Sequence, residues 1–211
     1  LIMFSARNSD EDLSQFFEMA KEPGIANYVL LGILGLMLFT AGMNVVASTA
    51  VSREGRYFWI SKLIPVAAKM QVTAKLLVSY IISAAGVIIT ALIAWLFLKQ
   101  PPLYIAGATL VGLLGALPMV ALNLTLDVFH PKLIWNNEQE AMKQNMNGLI
   151  GMLLSLLVMI IQGITVFVMI YAAMPMWLVF AAIGVVSVIL GTLSVLALFT
   201  VAEKKFTELE A

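Results

Sequence analysis

The chain has 211 residues, 62% of them hydrophobic and 11% charged, with a mean hydropathy of +0.99 and a formal net charge of zero. A soluble domain carries about a quarter charged residues, so a water-soluble enzyme with an ordinary core is excluded, and so is a disordered chain. Balanced charge with no recurring basic face excludes nucleic acid as a partner, and zero cysteines exclude disulfides, thiolate zinc sites and thiol nucleophiles.

The charges cluster, and the intervals between them have the length of membrane spans. A hydrocarbon core of about 30 Å needs roughly 20 apolar residues in helix, and these runs are too long for barrel strands. Charge-free intervals predict spans near 28–48, 76–98 and 103–126. The stretch between Lys143 and Glu203 holds two more, 148–172 and 176–200, separated by Ala173-Met174-Pro175-Met176, where proline ends a helix. The expected fold is all-α, a polytopic transmembrane helix bundle with five spans. The start, Leu1-Ile2-Met3-Phe4, has neither an initiator methionine nor a basic leader and reads as the end of a sixth span, cut at the N-terminus.

Lys and Arg set the orientation. Arg53, Arg56, Lys62, Lys69, Lys75, Lys132, Lys143, Lys204 and Lys205 fall on one side, and Arg7, Lys21 and Lys99 on the other. The expectation is a plasma-membrane protein with 1–26 extracytoplasmic, a transmembrane domain over 27–202, cytoplasmic loops at 52–75 and 127–147, and a cytoplasmic tail at 203–211.

Any soluble partner must be met through those two loops. The first carries Arg53, Glu54, Arg56, Tyr57, Phe58, Trp59, Lys62 and Pro65. Aromatic and basic residues together suit the membrane interface and anionic lipid. On one continuous helix, however, Arg53 and Arg56 project beside Ile60 and Leu63, while Phe58 falls opposite with Glu54 and Lys62. Charge and aromatics on both faces leave two readings standing, lipid anchoring alone and docking of a protein partner. In the second loop Asn137 and Glu140 form a capping-box-like start. The helix they open is expected to run unbroken into the fourth span, with Glu140 and Lys143 paired.

No ionisable residue is expected within the spans, and no catalytic residue is identified. His130 stands alone and cannot make a zinc site. Asp127, Glu138 and Glu140 lack the spacing of a magnesium cluster, so no metal site is assigned, and there is no phosphate-binding glycine loop. Asn44, Asn123 and Gln162 are the polar candidates for a translocation path, although hydrogen bonding between helices is their ordinary role. Gly32 with Gly35, Gly112 with Gly115, and Gly148 with Gly151 sit three apart and suit close helix approach.

The two loops resemble permease subunits of bacterial ATP-binding-cassette exporters of the ABC-2 type. The matching residues are Ser52-Arg53-Glu54-Gly55-Arg56 with Phe58-Trp59, Lys62, Pro65 and Lys75, and then Asp127, Pro131-Lys132-Leu133, Trp135, Glu138 and Lys143-Gln144-Asn145. The likeness runs over about 47–151. It implies the C-terminal part of a transport subunit with no ATPase site and no cofactor of its own. ATP and Mg would sit on a separate ABC ATPase subunit, and a second permease half or a dimer would complete the transporter. Arg53, Glu54, Arg56, Trp59, Lys62, Glu138 and Lys143 are the candidate ATPase-coupling residues on this reading. A membrane scaffold or sensor that recruits an ATPase without transporting is the alternative.

Overall fold

A computed structural model describes residues 22–208 apart from 64, 99, 143 and 144. Residues 1–21, with the proposed remnant of a sixth span and most of the extracytoplasmic segment, lie outside the described residues, as do Lys99 and Lys143.

Among the described residues eight α-helices follow in chain order: α1 Pro23–Gly42, α2 Val45–Ser48, α3 Phe58–Leu63, α4 Ala68–Leu98, α5 Pro102–Phe129, α6 Glu138–Met142, α7 Met146–Tyr171 and α8 Met176–Glu208. A 3₁₀ segment, Ser52–Tyr57, precedes α3. There is no strand among the described residues, and five of the helices are long and apolar enough to cross a membrane. The chain is an all-α, multi-pass transmembrane bundle.

Helix ends follow local chemistry. Pro23 and Pro102 stand in the first turns of α1 and α5, where a missing N–H costs nothing. The first span breaks near its end, because Asn44 caps α2 by accepting from the Val46 amide at 2.9 Å. At the far end, α7 closes on a hydrogen-bond pair, Met174 N to Met169 O at 3.1 Å and Ala173 N to Ile170 O at 2.9 Å, with Ala173 at φ 52°. That is the Schellman arrangement with alanine where glycine is usual.

α5 is the central helix, packed against α1, α2, α4, α7 and α8. Its Gly112 and Gly115 allow Met37 and Leu38 of α1 to approach, and Gly151 of α7 admits Asn123. Small residues serve as contacts here because lipid tails give helices no hydrophobic reason to associate. Gly32 and Gly35 do not follow that expectation: a Cβ at either would meet open space. Large apolar side chains such as Ile81, Leu110, Leu153, Phe167 and Leu193 are exposed, as lipid-facing residues are.

At one end of the bundle, here called the loop end, Phe58 is fully buried among Ala47, Val51, Val72, Leu124, Val128 and Leu198. The first loop is therefore anchored in the core. Its mixed faces are explained by the backbone, because Gly55 at φ 52°, ψ −131° interrupts the helix and resets the direction of everything after it.

Candidate functional site

Asp127 does not lie where the sequence places it. Expected as a loop residue beyond the third span, it belongs to the last turn of α5 and is completely buried. A carboxylate there faces the negative end of the helix dipole and must find donors elsewhere. It finds four. The amides of Val51 and Ser52 donate to Oδ2 at 2.6 and 3.0 Å. The Ser52 hydroxyl and Asn147 Nδ2 donate to Oδ1, the latter at 2.9 Å. All four donors are neutral, so the charge is held by hydrogen bonds rather than by an ion pair.

Each donor is itself positioned. Asn145 caps α7 by accepting from the Asn147 amide at 3.0 Å, and Asn147 Nδ2 also reaches the His130 carbonyl at 2.7 Å. Ser52 is a hub: its hydroxyl oxygen accepts from the Lys132 amide at 2.9 Å, and its carbonyl accepts from Trp135 Nε1 at 2.9 Å. The Trp135 ring packs against Gly55, where a Cβ would come within 2.6 Å of it. Glycine is required at 55 twice, by its φ and by the indole. The two loops are thus one structure, built around Asp127 and joining α2, α5 and α7.

The second loop also departs from expectation next to this junction. The helix of the second loop does not run unbroken into the fourth span, because α6 ends at Met142 and α7 begins at Met146 with Asn145 as its cap. The capping signal at the start of α6 is present: Asn137 Oδ1 accepts from the Gln139 amide at 3.1 Å, and Glu140 Oε2 from that of Asn136 at 3.2 Å. Asn145 then starts a new helix, since its side chain takes an amide that an unbroken helix would direct to a carbonyl. The proposed pairing of Glu140 with Lys143 lies outside the described residues.

The coupling candidates divide. Arg53 is exposed, with Nε 3.3 Å from the Thr49 carbonyl and Nη2 3.2 Å from that of Val46, at the C-terminal end of α2. Arg56 is exposed beside the Tyr57 ring, and Trp59 is 50% exposed. Glu54 instead turns inward: it pairs with Lys75 of α4 and accepts from the Ser61 hydroxyl at 3.0 Å. The side chains of Lys62 and Glu138 lie outside the described residues, as does Lys143.

The polar candidates for a path are not brought together. Asn44 donates to the Ser79 carbonyl at 2.7 Å and to Ser83 Oγ at 2.8 Å, tying the first span to α4. Asn123 donates to Ser155, and Gln162 donates to Ser187 at 3.0 Å. Each joins a different pair of helices, although Asn123 Oδ1 and Gln162 Oε1 are buried without a partner.

The roles of Ser52, Trp135 and Asn147 in holding the junction are not among the site roles expected from the sequence. Their signals are an Asn-x-Asn pair at a helix start, and a glycine and a tryptophan in two polar segments far apart in sequence. Among the described residues no group of three His, Asp or Glu side chains is placed to hold a metal ion. Compared with protein-family models, with curated proteins and with solved structures, the chain matches none.

Proposed function

We propose that this chain is the membrane-spanning subunit of an ABC exporter, driven by a separate ATPase subunit that carries ATP and Mg and docks on the loop end. The observation that carries this reading is the Asp127 junction. A docking subunit can move membrane helices only through a surface that is rigidly joined to them. Here the segment bearing Arg53, Arg56 and Trp59 is joined through Ser52 and Asp127 to α5 and α7 and through Phe58 to the core. The loop end then faces the cytoplasm of a bacterial plasma membrane, lipid bathes the exposed apolar faces, and a second permease half or copy completes the transporter.

The test is purification from native membranes in mild detergent with identification of bound proteins. A stoichiometric ATPase is expected, with its hydrolysis uncoupled from transport by the Arg53→Glu/Arg56→Glu double variant while the spans stay folded. Reproducible absence of an ATPase from intact protein refutes the proposal.

One observation favours the alternative of a non-transporting scaffold or sensor: Asn44, Asn123 and Gln162 are each engaged in helix contacts. Under that reading the ATPase co-purifies but reconstituted vesicles move no substrate.

A further inference from the structure

The short helix α3 is apolar on two sides, and the bundle covers only one of them. At about 100° per residue, Trp59, Ile60 and Leu63 fall within about 100° of one another and away from Phe58. Phe58 is fully buried, whereas Trp59, Ile60 and Leu63 are 50%, 44% and 70% exposed. The chain beyond α3 carries the same surface onward. Val66 and Met70 are exposed, and Met70 stands in line along α4 with exposed Ala74, Leu77 and Ile81.

Side-chain contacts fix the level of α3 along α4. The Ser61 carbonyl accepts from Gln71 Nε2 at 2.9 Å, Phe58 shares a buried cluster with Val72, and Glu54, just ahead of α3, pairs with Lys75. α3 is therefore held beside residues 71–75 of α4. Toward the loop end from that level, Lys69 meets Glu203 of α8 at 2.8 Å, both side chains about half exposed, as suits an ion pair in water. In the other direction Leu76 opens the charge-free run to Leu98, where Leu77 and Ile81 have the exposure of lipid-facing residues. Lys69 and Leu77 are about 12 Å apart along the helix axis, and α3 occupies the interval between water and hydrocarbon.

We propose that α3 is an interfacial anchor, inserting Trp59, Ile60 and Leu63 into the lipid leaflet at the loop end, where headgroups meet acyl chains. The occupant is lipid rather than a soluble protein because this face continues the lipid-facing line of α4 and sits at a level that lipid already fills. Tryptophan beside aliphatic side chains is the composition that such a boundary favours. Trp59 is thereby withdrawn from the docking surface, which keeps Arg53 and Arg56. The inference goes beyond the exporter reading and does not depend on it.

The test uses the purified full chain in phosphatidylcholine–phosphatidylglycerol vesicles, without any ATPase, and a bimane fluorophore on single cysteines, since the chain has none of its own. Leu63→Cys is the test position. Leu77→Cys sets the value for lipid, and Gln139→Cys, exposed in the second loop, sets the value for water. Lipids brominated near the head of the acyl chain should quench the Leu63 probe to within about two-fold of the Leu77 probe and about five-fold more than the Gln139 probe. Iodide present on both sides of the membrane should quench in the reverse order. Ile60→Cys, on the same face, should give the same result and serves if Leu63→Cys does not fold. Bromine quenching no greater than at Gln139, or iodide quenching as strong as at Gln139, would overturn the anchor. So would protection from iodide that appears only when a soluble protein is bound, which would make the face a protein-docking surface. Because no ATPase takes part, failure here leaves the exporter reading standing, and failure of an ATPase to co-purify leaves the anchor standing.

Discussion

A carboxylate at the C-terminal turn of a helix meets the negative end of the dipole, and Asp127 is stable there only because chain segments remote in sequence bring donors to it. Asp127→Asn keeps one acceptor and turns an amide group toward groups that are themselves donors. The Ser52 hydroxyl can rotate to adapt, but a backbone N–H or Asn147 Nδ2 cannot. The expected cost is about 2–3 kcal/mol, read as a lower unfolding midpoint in detergent. Gly55→Ala acts from the opposite side of the junction, through the Trp135 ring and the backbone angle, at about 2–4 kcal/mol. Trypsin cleavage at Arg53 and Arg56 should accelerate with it, about 30-fold for 2 kcal/mol if opening precedes cutting. Cleavage no faster than in the unaltered protein would show that the loop is not held there. Little of this site is legible in the sequence. Asp127 follows an apolar run and reads as the first residue of a loop, whereas its burial depends on Ser52, 75 positions earlier. Individual residue types carry no record of such a distant partner.

At the scale of the element, the long helices are more legible than their joints. A charge-free run bounded by lysines can only be a span, and the ends at Leu98 and Met176 coincide with the expected ones. The interruption at Asn145 is not legible in the same way, because two capping signals overlap and either is compatible with helix on both sides. The Schellman turn after α7 offers a direct check. Ala173 occupies a left-handed conformation that glycine adopts without strain, so Ala173→Gly should stabilise the protein by about 0.5–1 kcal/mol, raising its thermal midpoint in detergent. A decrease would mean that the alanine methyl makes a contact worth more than the strain. Glu54 and Lys75 are 25% and 17% exposed, so their pair is partly screened, and Glu54→Gln is expected to cost less than Asp127→Asn.

For the whole molecule, the absence of cysteine makes topology directly testable. Tyr57→Cys at the loop end and Met174→Cys in the opposite turn, both exposed positions, should label with a membrane-impermeant maleimide from opposite sides. Tyr57→Cys is expected to react from the cytoplasm; reaction from outside would reverse the orientation and remove the docking face. Hydrophobicity and charge spacing alone determine that five of the described segments are long and apolar enough to cross a membrane, because in lipid an apolar run of that length satisfies its backbone as a helix. Charge counting likewise marks the two segments that carry most of the basic residues as loops. Only the tertiary structure decides that those loops form one body around Asp127, that Glu54 turns inward while Arg53 and Arg56 face out, and that Asn44, Asn123 and Gln162 each tie a different pair of helices together. The physical reason is range: crossing a bilayer is a property of each segment by itself, whereas a hydrogen bond between distant segments exists only once packing has brought its two ends together.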